Sequence, residues 1–321
     1  MADRSNTAGG SGEASKNIPL RPLAIPDAPR IDGLKLLETG DSLMLLFSTQ
    51  ERRVPSSYEM IIQTVPLTNP VRVTRIATVE RLLPVPPTWD ARITKRGEVE
   101  LVFELAGGAL NALMRQDATG ATQNVSAAYP FESFHRPHFV RVAPGNRSAD
   151  IGAVAERKTV VVFPGSMQGN APAYNALASG ADGLVGGTTA RWVVLKTLLS
   201  GPSLFDVSPG QLALARASTG RGQQASPMPF PGIIAYEFDA AALGHEVAVF
   251  ATGTPAALLL STQPAKPLQF DVPDHRWLSM LSRPTMAVSA THLHFAALAE
   301  PGTPSAAVLY GAIPLSALQE L

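Results

Sequence analysis

A short strand unit recurs along this chain, and its recurrence constrains the fold more than any single motif does. Pro87-Thr88-Trp89-Asp90-Ala91-Arg92-Ile93 lines up with Pro137-His138-Phe139-Val140-Arg141-Val142 and with Pro284-Thr285-Met286-Ala287-Val288-Ser289. Counted from the proline, Trp89 falls in the place of Phe139 and Met286. A second and more apolar run follows each unit: Glu98-Val99-Glu100-Leu101-Val102-Phe103, Thr159-Val160-Val161-Val162-Phe163 and His292-Leu293-His294-Phe295-Ala296-Ala297. One small sheet cannot bury both of its faces, so neighbouring units must stack on one another.

Between these units the chain reads as runs of four to eight apolar or alternating residues bounded by Gly, Pro, Asp or Asn, the signature of strands and turns. Examples are Ser42–Phe47, Tyr58–Val65, Arg191–Lys196, Gln211–Ala215, Ile233–Phe238, Glu246–Phe250 and Ala257–Leu260. Ala109–Met114 has helix-favouring residues, but the glycines on either side make a strand at least as good a reading. Residues 165–188, rich in Gly, Asn and Ala, read as a long connection with some helix. Residues 1–24 contain Gly9-Gly10-Ser11-Gly12 and little apolar periodicity, and are expected to be a flexible tail.

The strongest strand candidates, taken as the inner strands of successive units, lie near positions 45, 101, 161, 213, 248 and 294. Their mean separation is about 50 residues, the size of a four-stranded blade with a long loop. At this level the chain resembles the β-propeller class over residues 31–321. The resemblance implies an all-β fold in one domain over residues 25–321, with six blades favoured and five larger ones as the alternative. A β-sandwich or two-domain β protein, and then an α/β fold, stand behind it. No WD signature, kelch double glycine or sialidase Asp-box assigns a particular propeller family.

Apolar residues make up 45% of the 321 residues and charged residues 16%, so the chain can build a large core under a charge-poor surface. Twenty-six basic side chains balance 26 acidic ones with no long basic run, which argues against a nucleic-acid partner. With no cysteine, a disulfide scaffold, a thiolate metal site and a cysteine nucleophile are all excluded. Met1-Ala2-Asp3-Arg4-Ser5 lacks the pattern of a signal peptide, and no run reaches the apolar length of a membrane helix. A cytoplasmic location without membrane partners is expected, and export without a classical signal is compatible with it.

Three groups carry candidate chemistry. Pro130-Phe131-Glu132-Ser133-Phe134-His135-Arg136-Pro137-His138 packs an acid, two imidazoles and a guanidinium beside aromatic rings. Such a set suits a polar ring-shaped ligand, with His135, Arg136 and His138 as its contacts; the structural alternative is a polar loop leading into a strand. His292 and His294 are two apart and share a strand face, yet a metal needs at least a third ligand, so no metal is assigned. Asp90, Glu132 and Glu237 form the acidic group, and Glu237 and Asp239 share a face within Tyr236-Glu237-Phe238-Asp239. Trp277, in Asp274-His275-Arg276-Trp277, is placed to stack on a sugar or to join the core.

These observations lead to a ligand-binding or scaffold protein that recognises carbohydrate or a protein partner, with homo-oligomers compatible. The alternative is a glycoside hydrolase. In glycoside hydrolases of the propeller class, carboxylates from different blades flank the scissile bond, a role that would fall to Asp90, Glu132 and Glu237. No cofactor motif is present. Gly180–Thr189 has neither the phosphate-loop ending nor the dinucleotide-turn spacing, and Gly165-Ser166-Met167 lacks the flanks of an esterase nucleophile elbow.

Overall fold

The computed structural model describes residues 17–25, 30–40, 42–54, 57–67, 74–81, 89–107, 110–129, 133–140, 150–155, 159–163, 175–179, 181–186, 192–199, 209–216, 228–244, 246–253, 255–279, 281–301 and 303–319. These residues are almost entirely strand, arranged in several small antiparallel sheets. β1 (Ile18–Pro19) and β2 (Arg21–Leu23) come first, and are completed by strands from the far end of the chain. β3 (Ile31–Glu38), β4 (Leu43–Val54), β5 (Ser57–Pro66) and β6 (Thr74–Arg81) form a meander. A second meander holds β7 (Trp89–Ile93), β8 (Val99–Gly107), β9 (Leu110–Gln116) and β10 (Thr122–Asn124), and a third holds β11 (Phe134–Val140), β12 (Asp150–Ala155), β13 (Thr159–Phe163) and β14 (Asn175–Ser179).

The next two groups of strands share one member. β15 (Ala181–Gly186), β16 (Trp192–Leu198) and β17 (Gly210–Arg216) lead into the 16-residue β18 (Met228–Leu243), which pairs with β17 over its first half. Its second half pairs with β19 (Glu246–Gly253), followed by β20 (Ala257–Leu260) and β21 (Leu268–Asp271). A 3-10 turn, η1 (His275–Ser279), precedes the last meander of β22 (Leu281–Val288), β23 (His292–Ala299) and β24 (Ala307–Pro314), and α1 (Leu315–Gln319) ends the described chain. β2 adds to β24 as the fourth strand of this sheet, while β1 lies parallel to β21.

The apolar runs that mark the sequence most strongly are middle strands, and burial on both faces explains their composition. Along β19, Ala248 and Phe250 face a core shared with β22–β24, whereas Val247, Val249 and Ala251 face one shared with β16–β18. In β23, Leu293, Phe295 and Ala297 join the first of these cores, and Ala296 and Leu298 pack against Leu45 and Phe47 of β4. Leu46, on the opposite face of β4, meets Leu101 and Phe103 of β8. Three of these four cores lie between two sheets, as expected of small units that cannot cover themselves, and the fourth is built from strands of the one eight-stranded sheet that contains β15–β21. The expected inner strands near 45, 101, 161, 213, 248 and 294 are corrected to these middle positions.

The first strands of the units lie side by side. β3 touches β7, β7 touches β11, β11 touches β15, β15 touches β18, the second half of β18 touches β22, and β22 returns to β3. Two of these strands carry the recurrent proline in a bulge. The register slips between His135 and His138 in β11 and between Ser282 and Thr285 in β22, where Arg136-Pro137 and Arg283-Pro284 are accommodated. Both arginines have positive φ, 51° and 50°. Proline has no N–H to give the ladder, so a bulge is where a strand tolerates it.

Two further expectations change. The tail assigned to residues 1–24 is strand over residues 18–19 and 21–23, with Ile18 and Leu20 buried in the core beside β24; residues 1–16 lie outside the described residues. The helix expected within 165–188 is replaced, over the described part, by β14 and β15.

Gly311 on β24 is the point of closest approach between the N-terminal strands and the last meander, because a Cβ there would lie 2.3 Å from the Pro19 carbonyl oxygen. Gly311→Ala is expected to lower stability by about 1–3 kcal/mol in urea unfolding, the usual cost of overpacking. It should also raise cleavage by a protease of broad specificity within residues 17–25. Unchanged stability would mean that residues 18–23 are not docked there.

Candidate functional site

The bonds between neighbouring first strands identify one equivalent position on five of them. Leu36, Ala91, Phe139, Ala240 and Met286 hold it, paired with Leu45, Leu101, Ile151, Val249 and Phe295. The residue before each of them is therefore equivalent too: Lys35, Asp90, His138, Asp239 and Thr285. All five are polar or charged. By this register Pro137 and Pro284, rather than Phe139 and Met286, match Trp89, so counting from the proline misplaces the tryptophan by two residues.

The physical reason for this polar position is an edge problem. A first strand has its sheet on one side only, and its buried N–H groups on the other side need acceptors. The neighbouring unit supplies them. The Asp90 carboxylate accepts the Phe139 N–H at 2.8 Å, Asp239 accepts the Met286 N–H at 2.8 Å, and the Thr285 hydroxyl accepts the Leu36 N–H at 2.9 Å. Lysine cannot accept, so Lys35 offers nothing to Ala91 N–H, which is instead held at 2.8 Å by the adjacent Asp90. Asp239 does the same for Ala240 at 3.0 Å.

Lys35 joins the two acids. Its Nζ lies 2.9 Å from Asp90 Oδ1 and 3.4 Å from Asp239 Oδ2, so three units meet at one ammonium group. His138 faces the other side of Asp90, with Nδ1 3.8 Å from Oδ2. The acid side chains are only 6% and 7% exposed, whereas Lys35 and His138 are 18% and 25% exposed and reach the opening of the cluster. Burial alone would lower the Lys35 pKa, but Asp239 and then Asp90 outweigh it and hold the group above its ordinary value. Burial would likewise raise Asp90, and Lys35, His138 and the Phe139 N–H together outweigh it, leaving the carboxyl well below the usual range. Asp90 is thus an anion with its oxygens occupied, and cannot serve as a proton donor near neutral pH.

A second device repeats beside this cluster. Glu237 accepts the Arg283 N–H at 2.6 Å and pairs with its guanidinium, whose Nε donates to the Asp32 carbonyl at 2.9 Å. Glu104 meets His135 Nδ1 at 2.8 Å and accepts from Arg136 N at 3.4 Å and from the Asn111 side chain. In both places a carboxylate anchors the left-handed residue of an Arg-Pro bulge to the neighbouring unit.

Asp90 and His138 are thus brought together, while His135, Arg136 and Glu237 serve the two bulge anchors. Trp277 sits on η1 and packs against the core between β19–β21 and β22–β24. Glu132 lies outside the described residues. His292 and His294 have ring centres 5.8 Å apart, yet no group of three metal-ligating side chains occurs among the described residues. Lys35 and Asp239 are not among the site residues expected from the sequence, although Asp239 lies two residues from Glu237 on β18. A lone lysine in Leu34-Lys35-Leu36-Leu37, a run otherwise apolar, was the available signal.

Lys35→Met would strand two buried carboxylates and is expected to cost about 3–5 kcal/mol in denaturant unfolding. Acid should act in the same direction. Asp90 has a lowered folded pKa, so its stabilisation is fully present above the unfolded value of 3.8 and fades as pH falls below it. Asp90→Asn should therefore flatten the stability profile between about pH 4 and 2. A profile as steep as that of the parent chain would contradict the assignment.

No family model matches the chain, and no curated protein matches it by sequence. Solved structures resemble it distantly. A polysaccharide lyase, Uly1, has 8% identity and a TM-score of 0.43, covering 89% of this chain and 90% of its own. The β-xylosidase RS223 has 7% identity and a TM-score of 0.45, with 91% and 94% covered. A puromycin-hydrolysing peptidase of Mycobacterium tuberculosis has 12% identity and a TM-score of 0.43; the match spans 93% of this chain and 56% of that one. By their names the lyase and the xylosidase are carbohydrate-active enzymes; the all-β character of this chain rests on its own sheets.

Proposed function

We propose that residues 18–321 form one six-bladed propeller that binds a polar ligand, carbohydrate being the class favoured, where its first strands meet. Ring closure is supported by the order in which those strands touch, ending with β22 against β3. A shared long strand, β18, serves as the outer strand of one blade and the inner strand of the next. β2 would close the last blade from the opposite end of the chain.

One observation carries the functional reading: Lys35, Asp90, His138 and Asp239 come from four first strands to one point, and only Lys35 and His138 reach its opening. An ammonium and an imidazole above buried anions offer donors and acceptors together, which suits hydroxyl-rich ligands. The chain's zero net charge fits a neutral ligand. His135, Arg136 and Trp277 would contribute at the rim.

Glycoside cleavage is the second reading, favoured by the convergence of two carboxylates on Lys35. Asp90 could take part only as a fixed anion, stabilising positive charge on a sugar ring, and the proton donor would have to be another group, with His138 nearest to it. The roles of Glu132 and Glu237 belong to this reading alone.

A panel of neutral and acidic oligosaccharides titrated into the full chain tests both. Binding should weaken at least about 10-fold in His138→Ala, a loss near 1.4 kcal/mol, while the fold is kept. Release of reducing ends, lost in Asp239→Asn, would favour the enzyme. Equal binding by the parent and His138→Ala would remove the central site.

A further inference from the structure

A second constellation lies at the other end of β22 from its Arg283–Pro284 bulge, in the turn to β23. His294 Nε2 is 3.0 Å from Ser289 Oγ, and His294 Nδ1 is 2.8 Å from Tyr310 Oη. The imidazole is 8% exposed. Ser289 Oγ accepts the His292 N–H at 3.1 Å, so its own hydrogen is left to donate. The nearer acceptor is His294 Nε2, since the His292 carbonyl stands 3.3 Å away. In the tautomer that uses this acceptor, Nδ1 carries the hydrogen and gives it to Tyr310, and Nε2 presents its lone pair to the serine. Tyr310 also stacks on the ring, with 6.1 Å between centroids and 17° between planes.

Nucleophile, base and orienting group thus stand in order, the geometry by which a hydroxyl is activated. We infer that Ser289 is a nucleophile for small activated acyl esters, with His294 as its general base and Tyr310 as the positioning residue. This site is separate from the cluster around Lys35 and does not depend on the reading given to it. Ser289 Oγ bonds to the ester carbonyl carbon and its proton passes to His294 Nε2. The carbon–oxygen bond to the leaving alcohol breaks, and Nε2 returns the proton to that oxygen. Water then attacks the acyl-serine by the same proton route, releasing the acid and restoring Ser289.

The titratable groups facing His294 are His292 on its own strand and Tyr310 on β24. Burial, then His292, keeps the His294 pKa below its ordinary value, and burial raises Tyr310, so both are neutral near pH 7. A base of this kind works over a wide range of pH.

The test uses the full chain with a fluorophosphonate probe and p-nitrophenyl acetate, reading adducts by peptide mass mapping. One adduct is expected on Ser289, lost in Ser289→Ala, with labelling at least about 100-fold slower in His294→Gln. Tyr310→Phe should slow labelling less and leave the adduct in place. The rate for the parent should rise with pH and reach its plateau below pH 7. No adduct on Ser289, or labelling as fast in His294→Gln, would overturn the inference. If His294→Gln does not fold, a parent rate that keeps rising with pH from about 7 to 9, with no plateau, does so instead.

Discussion

The arrangement depends on one unmet need: the outward edge of each first strand, buried among its neighbours, must find acceptors for its N–H groups. A backbone donor left unsatisfied in such a place costs about 1–3 kcal/mol. Asp90, Asp239 and Thr285 meet that need from the adjoining unit, and in doing so they set the spacing and register of one sheet against the next. Side-chain acceptors do here what a paired strand does inside a sheet.

Two carboxylates placed for this purpose bring a problem of their own, since buried negative charges repel and resist desolvation. Lys35 resolves it by standing between them. The cluster is better understood as a joint that orients its two exposed members than as a pair of reactive acids. Asp90 is held too firmly as an anion to donate a proton, which is why Lys35 and His138 dominate the binding proposal.

The strands and their all-β character were legible because middle strands are buried on both faces and read as apolar runs, as at Leu43–Phe47 and Val247–Ala251. The same property misled the placement of the inner strands. Those are short and polar at the critical position, so Lys35 and Thr285 carry little signal. Asp90 and His138 stood out as charged residues at strand starts, but only the bonds between neighbouring first strands show that they occupy one equivalent position. Recurrent prolines marked the bulges of β11 and β22 faithfully. They could not fix the alignment of Trp89, whose strand shows no such slip in its described pairing. The contact between Lys35 and Asp239, 204 residues apart, left no linear trace.

That long-range contact is the most direct point at which to test the whole account. A double-mutant cycle between Lys35→Met and Asp239→Asn, measured by urea unfolding, isolates the interaction between the first and fifth units. Direct pairing predicts a coupling of about 0.5–3 kcal/mol, with the double variant less damaged than the sum of the single ones. Strict additivity would mean that Lys35 does not reach Asp239 and that the first strands do not meet as described.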